Sequence, residues 1–289
     1  MIKRLCIVNS LSETNMAIIP PFFLDAVVSI GIRKEHNDIV WIGTGFFVIR
    51  LIEGNRGKPF LISNRHVFQG NTGIVIRMKE RNTSNLKICD AQLVSNDGKP
   101  LYAVHPNSKI DVAILPLSPD YINNNNLEFP AFDIDSHAMT SSQLRSAGVD
   151  EGSLIYMLGF PMGLVNNNSG LPICRLGCIA RISETQILED HNILVDLQNF
   201  PGNSGSPIIL RPEFVSVGGS PALGKSVLVG IVHSYIPYKE SLINSQTKEV
   251  VEIRSENSGI ANAHPVEYIL EILDSIFPKP TKDIPEKKQ

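Results

Sequence analysis

Three side chains able to carry out acyl transfer together stand in strings that suit the task. Ser204 lies between glycines in Phe200-Pro201-Gly202-Asn203-Ser204-Gly205-Ser206-Pro207, just ahead of the apolar run Ile208-Ile209-Leu210. Glycine adopts backbone angles that other residues avoid, so the string predicts a tight turn that presents the hydroxyl and lets the amides of Gly202 and Ser204 converge on an oxygen gaining negative charge. An oxyanion loop is therefore expected at Gly202, Asn203 and Ser204. A serine hydroxyl is a weak nucleophile near neutral pH and needs a base. His66 ends the apolar run that begins at Phe60, and an imidazole with the ordinary pKa of about 6.5 is mostly neutral at pH 7. Asp111, in Ile110-Asp111-Val112-Ala113-Ile114-Leu115, can fix that imidazole through Nδ1 and stabilise its cation. Taken singly, each has a plainer reading as a core histidine, a strand-end aspartate or a turn serine. Their order, their spacing and the surrounding glycine and apolar pattern make the joint reading the stronger one.

Positioning three such distant residues calls for strands. Short apolar runs separated by Gly, Pro, Asn and Ser predict β-strands at 26–33, 40–51, 59–63, 73–79, 87–95, 111–117, 153–159, 176–183, 192–198, 207–211, 226–234, 248–254 and 259–263. Strands of this kind must close or pack to satisfy their edges, and two barrels account for them. Val266, Ile269, Leu270, Leu273 and Phe277 recur at helical spacing, which predicts an amphipathic helix over 265–277 docked on the second barrel. The run Asn123-Asn124-Asn125-Asn126 marks a solvated turn in a polar linker.

The chain order His, Asp, Ser resembles that of the trypsin-like (chymotrypsin-fold) serine peptidases, and other strings resemble the HtrA/Deg branch. These are Gly43-Thr44-Gly45-Phe46-Phe47-Val48, Leu158-Gly159-Phe160-Pro161-Met162-Gly163-Leu164 and Gly259-Ile260-Ala261-Asn262-Ala263-His264-Pro265. Asn203 agrees with that branch and departs from the Asp of digestive enzymes, while Ser206 departs from a glycine common to both. The implied fold is all-β, two six-stranded antiparallel β-barrels with a C-terminal α-helix. Its parts would be an N-terminal extension over 1–24, a first barrel over 25–120 carrying His66 and Asp111, a linker over 121–147, a second barrel over 148–264 carrying Ser204, the helix, and a tail over 278–289. The PDZ domain usual in that branch is not expected, because the residues after Ser204 are needed for the second barrel and its helix.

The resemblance also implies a substrate pocket. Gln198, six residues before the nucleophile, would lie at its base, with Val232, His233, Ser234 and Tyr235 forming one wall and Gly259 the other. Gln198 is neither a carboxylate nor small and apolar, so a neutral polar or small P1 residue is expected. An acidic P1 met by His233 comes second, because the register differs by one residue from that of glutamyl endopeptidases. Digestive relatives mature when a new N-terminus pairs with the Asp beside the nucleophile. Asn203 lacks that charge, so the loops 161–175 and 237–257 are expected to set the oxyanion hole, with an activating protein partner as an option.

Composition narrows the alternatives. The 289 residues are 43% hydrophobic and 19% charged, ordinary for a packed domain, and a net charge of −3 without a basic stripe argues against nucleic acid. No run approaches the ~18 apolar residues of a membrane helix, and the apolar stretch after Arg4 is too short for a secretory signal. Cys6, Cys89, Cys174 and Cys178 form no Cys-x-x-Cys pair, so neither a metal nor another cofactor is expected. Their scatter fits a reducing compartment, and the expectation is a cytoplasmic, bacterial processing enzyme acting on a protein or peptide. His36, His105, His137 and His191 are expected at solvated positions. A catalytically silent peptide-binding module and an esterase or transferase using the same residues are the rival readings. The intact triad argues against the first, and protein cleavage separates off the second.

Overall fold

The β-branched and aromatic runs fold as strands, described by a computed structural model over residues 18–53, 56–166, 168–213 and 223–279. Cys6, most of the expected N-terminal extension and the tail from 280 lie outside the described residues. The first half contains α1 (Pro21–Asp25), β1 (Val27–Arg33), β2 (Ile39–Glu53), β3 (Arg56–Ser63), the single turn α2 (Arg65–Phe68), β4 (Gly73–Lys79), β5 (Leu86–Gln92), β6 (Ala103–Val104) and β7 (Ala113–Pro116). Then come α3 (Pro119–Asn124), β8 (Phe132–Asp133) and α4 (Ser141–Ser146), followed by β9 (Leu154–Gly159), β10 (Ile173–Arg181), α5 (Glu184–Asp190), β11 (Ile193–Asp196), β12 (Pro207–Leu210), β13 (Val227–Ile243), β14 (Val250–Pro265) and α6 (Glu267–Ile276).

The second half is a closed barrel of six strands in the order β10-β11-β14-β13-β12-β9. The first half differs from the six strands expected. It is an eight-stranded sheet in the order β5-β4-β1-β2-β3-β7-β6, with β8 pairing in parallel with β2. Two short pieces account for the difference. Phe132 lies beside Val48 on the long β2, and Ala103–Val104 extends the edge beyond β7. Both are too brief to show as a pattern in the sequence.

The strands nearest the interface are apolar on both faces, because side chains alternate and both faces are buried. On β2, Phe46 and Val48 point into a core shared by the two halves, whereas Phe47 and Ile49 point into the core of the first sheet. On β12, Ile209 joins the shared core and its neighbours Ile208 and Leu210 fill the closed barrel. Helix α6 contributes Tyr268, Ile269, Ile272 and Leu273 to the shared core, beside Phe60 and Ile114 of the first half as well as Leu228 and Ile231 of the second. It therefore wedges between the halves rather than docking on the second alone. Arg50 of β2, fully buried, meets Asp274 of this helix at 2.6 Å and the Phe277 carbonyl at 3.0 Å.

A second difference concerns the excursion 237–257, expected as a loop with a strand at 248–254. Strands β13 and β14 instead continue as one ribbon, paired from Pro237↔Asn257 out to Ile243↔Val250. Its outer residues, Tyr238, Ile243, Val251 and Ile253 among them, are exposed. No helix among the described residues is long and apolar enough to cross a membrane. Cys89, Cys174 and Cys178 are free thiols.

Candidate active site

The chemically capable side chains lie on turns of both halves, His66 and Asp111 on the first and Ser204 on the second. His66 sits on α2, the turn that follows β3, and Asp111 lies two residues ahead of β7. Because β3 and β7 pair antiparallel from Phe60↔Pro116 to Ser63↔Ala113, the end of one strand and the approach to the other must lie side by side. The His66 Nδ1 is 2.5 Å from Asp111 Oδ2, and the His66 backbone N–H donates to Asp111 Oδ1 at 3.0 Å. The Asp111 carbonyl accepts from Asn64 Nδ2 at 2.8 Å and from the Arg65 N–H at 3.3 Å. Burial pushes the Asp111 carboxyl up, but the bonds and charge of His66 outweigh it, and the group stays ionised below its usual range.

Ser204 lies on the turn that enters β12. The Asn203 N–H donates to the Phe200 carbonyl and the Ser206 N–H to the Asn203 carbonyl, which closes the turn. Among the described residues, the N–H groups of Gly202 and Ser204 donate to no carbonyl or side chain, and Asn203 is fully buried between them. Strand β13 holds the turn from one side, where Val232 accepts from the Gly205 N–H and donates to the Ser206 carbonyl. Thr44 of β2 holds it from the other. Its N–H donates to the Ser204 carbonyl at 2.8 Å and its hydroxyl to the Gly202 carbonyl at 2.7 Å, while that hydroxyl accepts from the Phe160 N–H. Gly205 has φ +89° and a Cβ there would fall 2.0 Å from the Thr44 carbonyl oxygen, so no other residue fits. Gly43 is the thin spacer between the two turns, since its Cβ would meet Val67 at 2.9 Å and the Ser204 carbonyl at 3.3 Å.

This pairing of a histidine and an aspartate on the first half with a glycine-flanked serine turn on the second agrees with the sequence comparison, in which residues 43–218 match the trypsin-like peptidase domain. The chain belongs to that family. A comparison with curated proteins finds no match. The matched segment of this trypsin-like peptidase runs from Gly43 through His66, Asp111 and Ser204, and the outer strands and helix α6 lie beyond it.

The residues expected around the pocket lie in different settings. Gln198 and Tyr235 are exposed; Gly259 accepts from the Leu197 N–H at 2.8 Å. Ser234 Oγ accepts from Asn262 Nδ2 at 3.1 Å. The Val232 side chain is in the core of the closed barrel. His233 stacks on His264 with centroids 4.0 Å apart and meets Asn192 Oδ1 through Nε2 at 2.8 Å. Of the loops expected to shape the oxyanion region, 161–175 gives the Met162 N–H to the Pro201 carbonyl at 2.5 Å, and the ribbon gives Asn257 Nδ2 to the Asn199 carbonyl at 2.5 Å.

Three of the four histidines expected in solvent are half-buried and hydrogen-bonded. His105 Nε2 lies 2.8 Å from Glu271, His137 accepts from the Asp133 N–H, and His191 accepts from Asn107 and bonds Tyr268. Only His36 of that set is exposed. Thr44 and His264 are the residues that the sequence reading left without a role. Thr44 stands in a string that drew attention for its glycines, and His264 in the Gly259–Pro265 string that drew attention as a final strand, but neither side chain was singled out. Among the described residues, no three His, Cys, Asp or Glu side chains are placed to hold a metal ion.

Proposed function

We propose that this trypsin-like peptidase is a serine endopeptidase in which Ser204 attacks the peptide carbonyl, His66 takes the serine proton and returns it to the leaving amine, and Asp111 holds the imidazole. The observation that carries the reading is the pair of hydrogen bonds from His66 to Asp111, together with a serine turn whose Gly202 and Ser204 amides have no partner among the described residues. A carboxylate kept ionised next to Nδ1 favours the tautomer with the proton on that nitrogen, which leaves Nε2 as the base. Proton transfer makes an imidazolium, and the Asp111 charge stabilises it as it forms. The tetrahedral oxygen goes to the two amides, where loss of one donor typically costs ~10²–10³ in rate.

The HtrA-type strings, the neutral Asn203 and the exposed Gln198 support a processing role with a neutral polar or small P1 residue, and oxyanion geometry set by the neighbouring loops rather than by a new N-terminus. The bonds Met162 to Pro201 and Asn257 to Asn199 support that role for both loops. The free cysteines favour a reducing compartment such as the cytoplasm.

Labelling with a fluorophosphonate probe tests the mechanism. The full chain should label. Ser204→Ala should abolish labelling and His66→Ala should reduce it to background; label retained by the serine variant would overturn the assignment. Cleavage of a P1-randomised peptide library tests the specificity, and strong preference for Arg or Lys would count against it.

A further inference from the structure

We infer that His264, at the end of β14, is a positioning residue for Asp111, which accepts the aspartate's backbone N–H from across the cleft and so fixes where the carboxylate meets His66. The inference rests on the peptidase reading above.

Three observations carry it. The Asp111 N–H donates to His264 Nε2 at 2.9 Å, a bond between groups 153 residues apart. On its other nitrogen, His264 Nδ1 is 2.7 Å from the His191 carbonyl, an acceptor only, so the ring proton sits on Nδ1 and Nε2 keeps its lone pair for the aspartate. The imidazole is 1% exposed and is covered by the His233 ring, stacked at an interplanar angle of 9°. A buried residue with both nitrogens committed in this way is a spacer of fixed length and fixed polarity.

Asp111 needs such a spacer because it precedes β7 and lies outside the ladder. Neighbours in the first half, Asn64 and Arg65, grip its carbonyl, and His66 grips its carboxylate. Its N–H is held by the second half. The rest of its loop is held from the same side, through His105 to Glu271 of α6 and Asn107 to His191 at the end of α5. The charged and titratable groups around His264 are Asp111 and His105 from that loop, His191 after α5, His233 on β13, Tyr268 with its neighbours Glu267 and Glu271 on α6, and His66 beyond Asp111. Burial pushes His264 down to about 4 and His233 down to about 3, so near neutral pH both are uncharged and the acceptor is available.

The test compares three substitutions in the full chain. His264→Gln keeps an acceptor near the Nε2 position and gives up the contact with His191. His264→Asn does the reverse, and His264→Leu removes both. Two signals are read: the fluorophosphonate labelling rate of Ser204, and the proton resonance of the Nδ1–H that His66 shares with Asp111. Thermal unfolding checks that each variant is folded. His264→Gln should label within about threefold of the parent, while His264→Asn and His264→Leu should label on the order of tenfold more slowly, as expected when a catalytic group is displaced by a fraction of an ångström. The shared resonance should move in the same two variants and stay in place in His264→Gln. Equal rates and an unmoved resonance in all three would overturn the inference, as would a Gln variant as impaired as the Leu one. Should His264→Leu fail to fold, the Gln and Asn pair decides. The resonance does not depend on turnover, so a parent chain that resists the probe while its resonance responds to His264→Asn defeats the peptidase reading and leaves the positioning role standing.

Discussion

The two turns that meet in the cleft are each secured by the opposite half, but by different chemistry. Ser204 rises from the second half and is gripped by Thr44 of the first, through a hydroxyl and an amide that do not titrate. Asp111 belongs to the first half and is gripped by His264 of the second, within a group of stacked and hydrogen-bonded imidazoles. The serine side is therefore indifferent to pH in its support, and the aspartate side is not. Reaction geometry in such a cleft reports on the interface, because neither half completes its own reactive turn.

The largest effect that breaks this contrast is expected from Gly205→Ala. A methyl group 2.0 Å from the Thr44 oxygen, on a residue at φ +89°, cannot be absorbed by rotation of a flexible neighbour. A loss of about 4 kcal/mol or more in urea unfolding is expected, with no labelling of Ser204.

Acid titration separates the two sides. In the unfolded chain His264 takes a proton below 6.5, whereas in the fold it resists until about 4. Between those values the unfolded state binds the extra proton, so stability falls as pH falls, by ~3 kcal/mol for this group alone. His233 carries the loss on toward its folded value of about 3. Asp111 acts in the same direction, because its lowered carboxyl stabilises the fold at higher pH and that contribution disappears on protonation. Thermal melting from pH 7 to 4 should show a shallower acid limb for His264→Gln than for the parent. An identical limb would mean that the imidazole takes its proton in the fold at the same pH as in the unfolded chain.

Thr44→Val sharpens the other side. It keeps the shape and removes the hydroxyl, leaving the Gly202 carbonyl and the Phe160 N–H unpaired in a buried site. A cost of about 2 kcal/mol is expected, with slower labelling and an acid limb parallel to that of the parent. The smallest effect belongs outside the cleft. Val251 on the ribbon is 70% exposed, and Val251→Ser should change stability by less than about 0.5 kcal/mol and leave labelling unchanged.

Much of this was legible in local pattern. The runs around Phe60, Ile110 and Ile208 are apolar on consecutive positions because both faces of those strands are buried, and each ends near a reactive residue. The helical repeat from Val266 to Leu273 marked α6 to within two residues. What was missed depends on contacts between residues far apart in sequence or on segments of a few residues. His264 sits between Ala263 and Pro265 with no polar neighbour to announce it, and its partners Asp111 and His191 are 153 and 73 positions away. The exposed ribbon lacks the alternation that betrays a half-buried strand, since neither of its faces packs on a core. The stretch around Asn123 looked like solvated linker because α3 is only six residues long and is capped by Ser118.

Arg50 gives the chain a timetable. Its guanidinium is wholly enclosed and pairs with two carboxylates, Asp135 at 3.4 Å and Asp274 at 2.6 Å, the closer of them encoded 224 positions later. Enclosing an unmatched cation costs several kcal/mol. Until α6 packs, Asp135 is the carboxylate left to offset this charge, so the core between the halves gains its shorter ion pair only when that helix docks.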